Sequence, residues 1–147
     1  MARVKIKFPD ENPLYITNIL VRIGDINYGG HVGNDAILSI IHEARMQLLR
    51  QWGYDELQAG GVSLIMADVM IAYRGEGFYG DTLEVKIYVD DLTDRSFDLL
   101  YHITAERNGA RAEIAQAKTG MVCFDYEARK IAFITKDLKN RLQGLDF

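Results

Sequence analysis

Residues 24–45, GDINYGGHVGNDAILSIIHEAR, decide how the rest of the chain is read. The stretch leaves an apolar run, passes through a glycine-rich turn and ends in a long helix. Asp25, Asn27, His31 and Asn34 fall within ten positions, and Glu43 follows on the helix. Glycines 29, 30 and 33 permit positive φ or a close backbone approach. Turn chemistry alone accounts for Asp, Asn and Gly in such a loop, but His31 and the repeated glycines exceed what a turn requires.

Asn34 or Asp35 suits the helix N-cap, and the helix is predicted to run to about Trp52, where Gly53 stops it. On a wheel of about 100° per residue, Ile37, Leu38, Ile40, Ile41, Ala44, Leu48, Leu49 and Trp52 occupy an arc about half the circumference wide. That is broader than a surface stripe, so the helix is expected to be wrapped by other structure. Arg45 falls inside the arc and needs a carboxylate or carbonyl partner if buried. Glu43 lies on the polar arc with Ser39, Gln47 and Arg50, where a glutamate by itself reads as solvated.

Before this stretch, FPDENP at 8–13 is a turn-rich lead-in and Leu14–Ile23 has strand composition. After it the period changes to two. Val62–Arg74, Thr82–Val89, Phe97–Ala105 and Ala112–Asp125 are strand candidates, with Asn108-Gly109 a hairpin turn. Strict alternation puts Asp68 on one face with Leu64, Met66 and Met70, so Asp68 is expected to be paired, with Arg45 or across a subunit boundary. Ala115, Ala117 and Thr119 make a small-residue face on which a helix can pack closely. Gly75–Asp81 is a loop, and Thr135 suits the cap of a short terminal helix.

One strand, a long helix and then four antiparallel-capable strands indicate an α+β domain spanning 1–147, with a curved sheet of about five strands around the helix. At 147 residues the chain can bury a core of its own. Its open sheet edges invite pairing with a second copy. A net charge of −4 argues against nucleic acid or an anionic membrane as partner. No apolar run reaches the ~20 residues of a membrane span, no signal peptide is expected at Met1-Ala2-Arg3, and a cytoplasmic setting is the resulting expectation. Cys123 is the only cysteine, and the three histidines lack HxH or HxxxH spacing, so neither a disulfide nor a metal site is expected.

The chain resembles hotdog-fold acyl-CoA thioesterases of the 4-hydroxybenzoyl-CoA thioesterase type. The element order carries this, and RIGDINYGGHVGNDAILSIIHEAR at 22–45 carries it more sharply. The family pattern is Arg, Asp-x-Asp, Gly-His-Val-Asn-Asn, then an acidic residue and Arg late in the helix. GDTLEV at 80–85 and MVCFD at 121–125 are also similar to the family. The resemblance implies hydrolysis of an acyl thioester, on coenzyme A or an acyl-carrier protein, as part of fatty-acid metabolism. It implies no cofactor beyond the thioester, and assembly as a homodimer or homotetramer with sites at the protomer boundary.

Two departures bear on mechanism. The second acidic position of Asp-x-Asp, which holds the catalytic carboxylate in the 4-hydroxybenzoyl-CoA branch, is Asn27. His-Val-Asn-Asn has become His31-Val32-Gly33-Asn34. Plant acyl-carrier-protein thioesterases resemble this chain in having Asp-x-Asn, then His, then a glutamate nine residues beyond the last Asn, the separation of Asn34 and Glu43. By that resemblance the carbonyl lies near the amides of Gly33 and Asn34. Asp25 is the first choice of base and Glu43 the second, His31 polarises the carbonyl or assists proton transfer, and Asn27 orients water. A His31 that only bonds loop carbonyls is the plainer alternative. GDINYGGHVGND also resembles the Gly-Asp-x-Asn-Pro-x-His-x-Asp of hotdog enoyl-CoA hydratases, though Pro after Asn27 is missing, and a non-catalytic acyl-thioester binding protein is a third reading. Arg74, Lys86, Arg95 and Arg111 could meet CoA phosphates, but none sits in a recognisable cradle.

Overall fold

The structure is a computed structural model that describes residues 3–145; the first two residues, where no leader is expected, lie outside it. The elements are β1 (Tyr15–Leu20), α1 (Asn34–Gln51), β2 (Ser63–Tyr73), β3 (Thr82–Asp90), β4 (Ser96–Arg107), β5 (Ala110–Asp125), β6 (Lys130–Ile131) and α2 (Lys136–Leu142). The strands form one antiparallel sheet in the order β1-β3-β4-β5-β2, with the two-residue β6 added to β5. β1 and β2 occupy opposite edges, so the β1–α1–β2 connection must cross the whole sheet. The helix therefore lies across one face, as its broad apolar arc requires.

The inward face is the odd-numbered set read from the alternation. Leu83, Val85 and Ile87, then Phe97, Leu99, Tyr101, Ile103 and Ala105, then Ala115, Ala117, Thr119, Met121 and Cys123 are all buried. From α1 they receive Ala36, Ile37, Ile40, Ile41, Ala44, Leu48 and Leu49. Leu38, at the margin of the predicted arc, is exposed instead. Each fully buried Leu or Ile contributes about 1.5–3 kcal/mol, so packing rather than capping holds α1. Its N-cap is Gly33, ahead of both expected residues, Asn34 and Asp35, and gives no side-chain cap bond. A Cβ at Gly33 would meet Asp35 Oδ1 at 2.7 Å. Thr135 caps α2 as expected, accepting from the Leu138 amide. Cys123, enclosed in the core, has its thiol pushed up to about 11 by burial.

Of the two charges singled out in the sequence, Arg45 meets the carboxylate that its burial calls for, whereas Asp68 takes a partner other than Arg45. Arg45 is buried, with Nε 3.4 Å from Glu56 Oε2 and Nη1 donating to the Tyr101 hydroxyl at 3.2 Å. The Tyr101 oxygen is also 2.7 Å from Thr119 Oγ1, and burial raises its pKa above the ordinary phenol value. Asp68 pairs instead with Lys118 at 2.7 Å and accepts from the Gly120 amide. The reason is a β-bulge: the register of β2 on β5 shifts between Met66 and Asp68, inserting Ala67. One extra residue reverses the parity of the strand beyond it. Leu64 and Met66 oppose the inward Cys123 and Met121, whereas Val69 and Ile71 oppose the inward Thr119 and Ala117. Asp68 therefore leaves the inward face, its side chain 63% exposed.

Candidate active site

The segment between β1 and α1 folds as two small units. A single turn of 3-10 helix, Ile23–Asp25, is closed by the Asp25 carboxylate, which accepts from the Arg22 amide at 2.9 Å. Next comes a miniature hairpin in which Ile26 bridges Val32 and the Asn27 amide donates to the His31 carbonyl at 2.9 Å. Its tip is an Asn27–Gly30 turn with Gly30 at φ +83°. That φ is readily adopted by glycine. Asn27 Oδ1 accepts from the Gly29 amide at 2.9 Å, so Asn27 also does the turn work that Asn does well.

This folding sends the sequence-predicted residues to two sides. Asp25 and Glu43 line one groove of about 520 Å³ between β1 and α1, together with Asn18, Ser39, His42 and Gln47. Both carboxylates are engaged there. Asp25 caps its turn, and Glu43 accepts from Gln47 Nε2 at 2.9 Å, while the Gln47 carbonyl oxygen is bonded by the Thr17 hydroxyl.

His31 and Asn34 line a different cavity of about 330 Å³ at the start of α1, bounded by Val32, Ile37 and Ile114 and by Tyr73, Arg74 and Glu76. His31 Nδ1 is 3.3 Å from the Val32 carbonyl oxygen. A carbonyl only accepts, so that contact puts the proton on Nδ1 and leaves Nε2 as an acceptor in the neutral ring. Nε2 and Asn27 Oδ1 both lie within 3.4 Å of the point where a Cβ on Gly29 would sit. Asn27 and His31 are thus brought together, with Gly29 keeping their front open.

Of the two amides expected to face the carbonyl, that of Gly33 already donates to the Asp25 carbonyl at 2.9 Å. The first-turn amide of Asn34 heads an 18-residue helix, where amides have no intrahelical acceptor and the dipole favours negative charge. The Tyr73 hydroxyl, from the end of β2, donates to the Asn34 carbonyl at 3.0 Å and ties this helix start to the sheet edge. Neither Tyr73 nor Glu76 stands out in the sequence motif. Glu76 carries one signal, its position between two glycines in GEG.

A thioester-hydrolysing site needs an activated water and a donor for the developing oxyanion, and the loop and helix start furnish candidates for both. A family model of the thioesterase-like superfamily matches residues 21–142. The chain belongs to that superfamily. It is 31% identical over 126 residues to a 1,4-dihydroxy-2-naphthoyl-CoA hydrolase of Microcystis aeruginosa, covering 84% of this chain and 88% of the relative. It is 26% identical to the long-chain acyl-CoA thioesterase FadM of Escherichia coli, covering 88% and 97%. The crystal structure of a 1,4-dihydroxy-2-naphthoyl-CoA thioesterase from Synechocystis has the same fold, with a TM-score of 0.79 at 21% identity over 90% of this chain and 98% of that one. The superfamily assignment makes this chain a hotdog-fold thioester hydrolase. Among the described residues no helix is long and apolar enough to cross a membrane.

Proposed function

We propose that this chain hydrolyses an acyl-CoA thioester to free acid and coenzyme A, with the reacting carbonyl at the N-terminal end of α1. The observation that carries this reading is that His31 and Asn34 line one cavity at a helix start. Water adds to the carbonyl carbon, and the Asn34 amide receives the oxyanion, the Gly33 amide being already bonded. The unprotonated Nε2 of His31 suits it to accept a hydrogen bond from the water rather than to polarise the carbonyl. Asn27 holds the loop through Oδ1, and its Nδ2 donors remain to orient the water or substrate. Val32, Ile37 and Ile114 give the acyl group apolar walls. Coenzyme A is favoured as carrier because both curated relatives are named for CoA thioesters.

A second reading of the same reaction is favoured by the pair of carboxylates in the groove between β1 and α1. There Asp25 acts as base, Glu43 takes that part in second place, and the carbonyl enters from the β1 side. Loss of rate in Asp25→Asn or Glu43→Gln, measured against His31 variants, separates the two.

The assembly proposed is a homodimer joined along β2, two of which could pair as a homotetramer, in a cytoplasmic setting. β2 is a sheet edge whose Met66, Val69, Met70 and Tyr73 are all exposed, and an open apolar edge is a template for a second strand. Tyr73 and Arg74 lie at the end of that strand, so the α1-terminal cavity adjoins the proposed protomer boundary. The test is thiol release from a panel of aromatic and fatty acyl-CoAs, with sedimentation of the same sample. Thiol release by a dimer or tetramer is the expected result. Consumption of an enoyl-CoA without thiol release, binding without turnover, or a monomer at micromolar concentration would overturn the corresponding part.

A further inference from the structure

The α1-terminal cavity contains neither motif carboxylate, yet among its lining residues there is one acid, Glu76. Its loop, Arg74 to Phe78, is held at every residue. The amides of Arg74 and Gly75 both donate to the Ile114 carbonyl, at 2.9 and 3.1 Å, where β5 carries a bulge. The Glu76 carbonyl accepts from Arg107 Nη2 at 2.9 Å, and Arg107 in turn grips both oxygens of Asp81. The Gly77 carbonyl accepts from the Val32 amide at 2.8 Å, directly after His31, and the Phe78 amide donates to Asp81 Oδ2 at 2.7 Å.

The flanking glycines permit this seat. A Cβ at position 75 would lie 2.5 Å from the Glu113 carbonyl oxygen, and one at 77 would lie 2.8 Å from Val32 Cγ2. Neither place tolerates a side chain unless its neighbour moves. The chain thus presses this backbone against β5 and against the His31–Val32 segment. Among the described residues no hydrogen bond or ion pair engages the Glu76 carboxylate, whereas those of Asp25 and Glu43 are both hydrogen-bonded.

We propose that Glu76 is the catalytic carboxylate of the hydrolysis, an inference that rests on the α1-terminal reading of the site. Glu76 takes one proton from the attacking water as its oxygen bonds to the carbonyl carbon, and the second O–H points to His31 Nε2. When the tetrahedral adduct collapses, the C–S bond breaks and its electron pair leaves on sulfur. The proton held by Glu76 passes to that sulfur, giving free acid and thiol. Asn27, an amide that cannot serve as a base, is then compatible with an active enzyme.

The test compares wild type, Glu76→Gln, Glu76→Asp and Asp68→Asn for thiol release from benzoyl-CoA and palmitoyl-CoA at neutral pH, with thermal melts as a check on folding. Glu76→Gln is expected to lower kcat by about 10²–10⁴-fold with KM little changed. Glu76→Asp is expected to recover part of the rate, and Asp68→Asn, outside both cavities, to keep the wild-type rate. Wild-type kcat in Glu76→Gln, or a fall that Glu76→Asp does not relieve, overturns the assignment and leaves the hydrolase standing. A wild-type protein that releases no thiol overturns the inference together with the reading beneath it.

Discussion

The cavities on either side of loop 25–33 are furnished from one motif yet offer different chemistry. The groove between β1 and α1 holds two carboxylates, both occupied: Asp25 closes a turn and Glu43 belongs to a chain of polar bonds with Gln47 and Thr17. The cavity at the start of α1 holds a first-turn amide, an imidazole with a free acceptor and a carboxylate without a protein partner among the described residues. Proximity in sequence put Asp25 and His31 in one motif. Two short folding units, a 3-10 turn and a miniature hairpin, turned them to opposite sides. The groove carries more charge, and the helix start is where the proposed reading sets the developing oxyanion.

The largest expected effect breaks or keeps this distinction. His31→Ala should lower kcat by about 10²-fold or more if His31 holds the attacking water, while Asp25→Asn and Glu43→Gln should each stay within about tenfold of wild type, a change under about 1.4 kcal/mol in barrier. The reverse ranking in steady-state kinetics moves the chemistry into the groove.

A smaller effect comes from two glycines of the same loop. Gly29→Ala sets a methyl group 3.2 Å from Asn27 Oδ1 and 3.4 Å from His31 Nε2, whereas Gly24, beside Asp25, has nothing within 4 Å of its Cβ position. We expect Gly29→Ala to lower kcat/KM by about tenfold, with its melt little changed, and Gly24→Ala to leave both as they are. Equal behaviour of the two would deny that access to Asn27 and His31 matters.

The smallest effect is a control outside both cavities. The hydrogen bond from Lys118 is the main cause holding Asp68 below its ordinary pKa, and burial opposes it only in part. A depressed carboxylate contributes stability that is present above its unfolded value of about 3.9 and lost as pH falls through the folded value. Asp68→Asn should therefore cost less than about 1 kcal/mol at pH 7, as for an exposed pair, with the difference fading in acid and kcat unaffected. A loss of several kcal/mol in denaturant melts would restore the buried pairing that alternation alone suggested.

Periodicity made most of the architecture legible. The odd-numbered faces of β3, β4 and β5 and the broad arc of α1 each record one buried side, and a residue's face can be read directly from its number. That logic failed at Asp68 because a single inserted residue, Ala67, has no signature in an apolar strand. It was equally silent on the site's division. The motif supplied Asp25, Asn27, His31, Asn34 and Glu43, but the side to which each loop residue turns depends on bonds such as Gly33 N–H to Asp25 C=O. Glu76 was out of reach for another reason. It joins the cavity only when β2 returns along β5, 45 positions after His31.

The most direct measurement is a structure of the protein with an acyl-CoA analogue in which a methylene replaces the thioester sulfur. The ketone oxygen is expected about 2.7–3.1 Å from the Asn34 amide, with its carbonyl carbon on the side of His31 and Glu76. A carbonyl bound in the groove beside Asp25 and Glu43 would contradict chemistry at the start of α1.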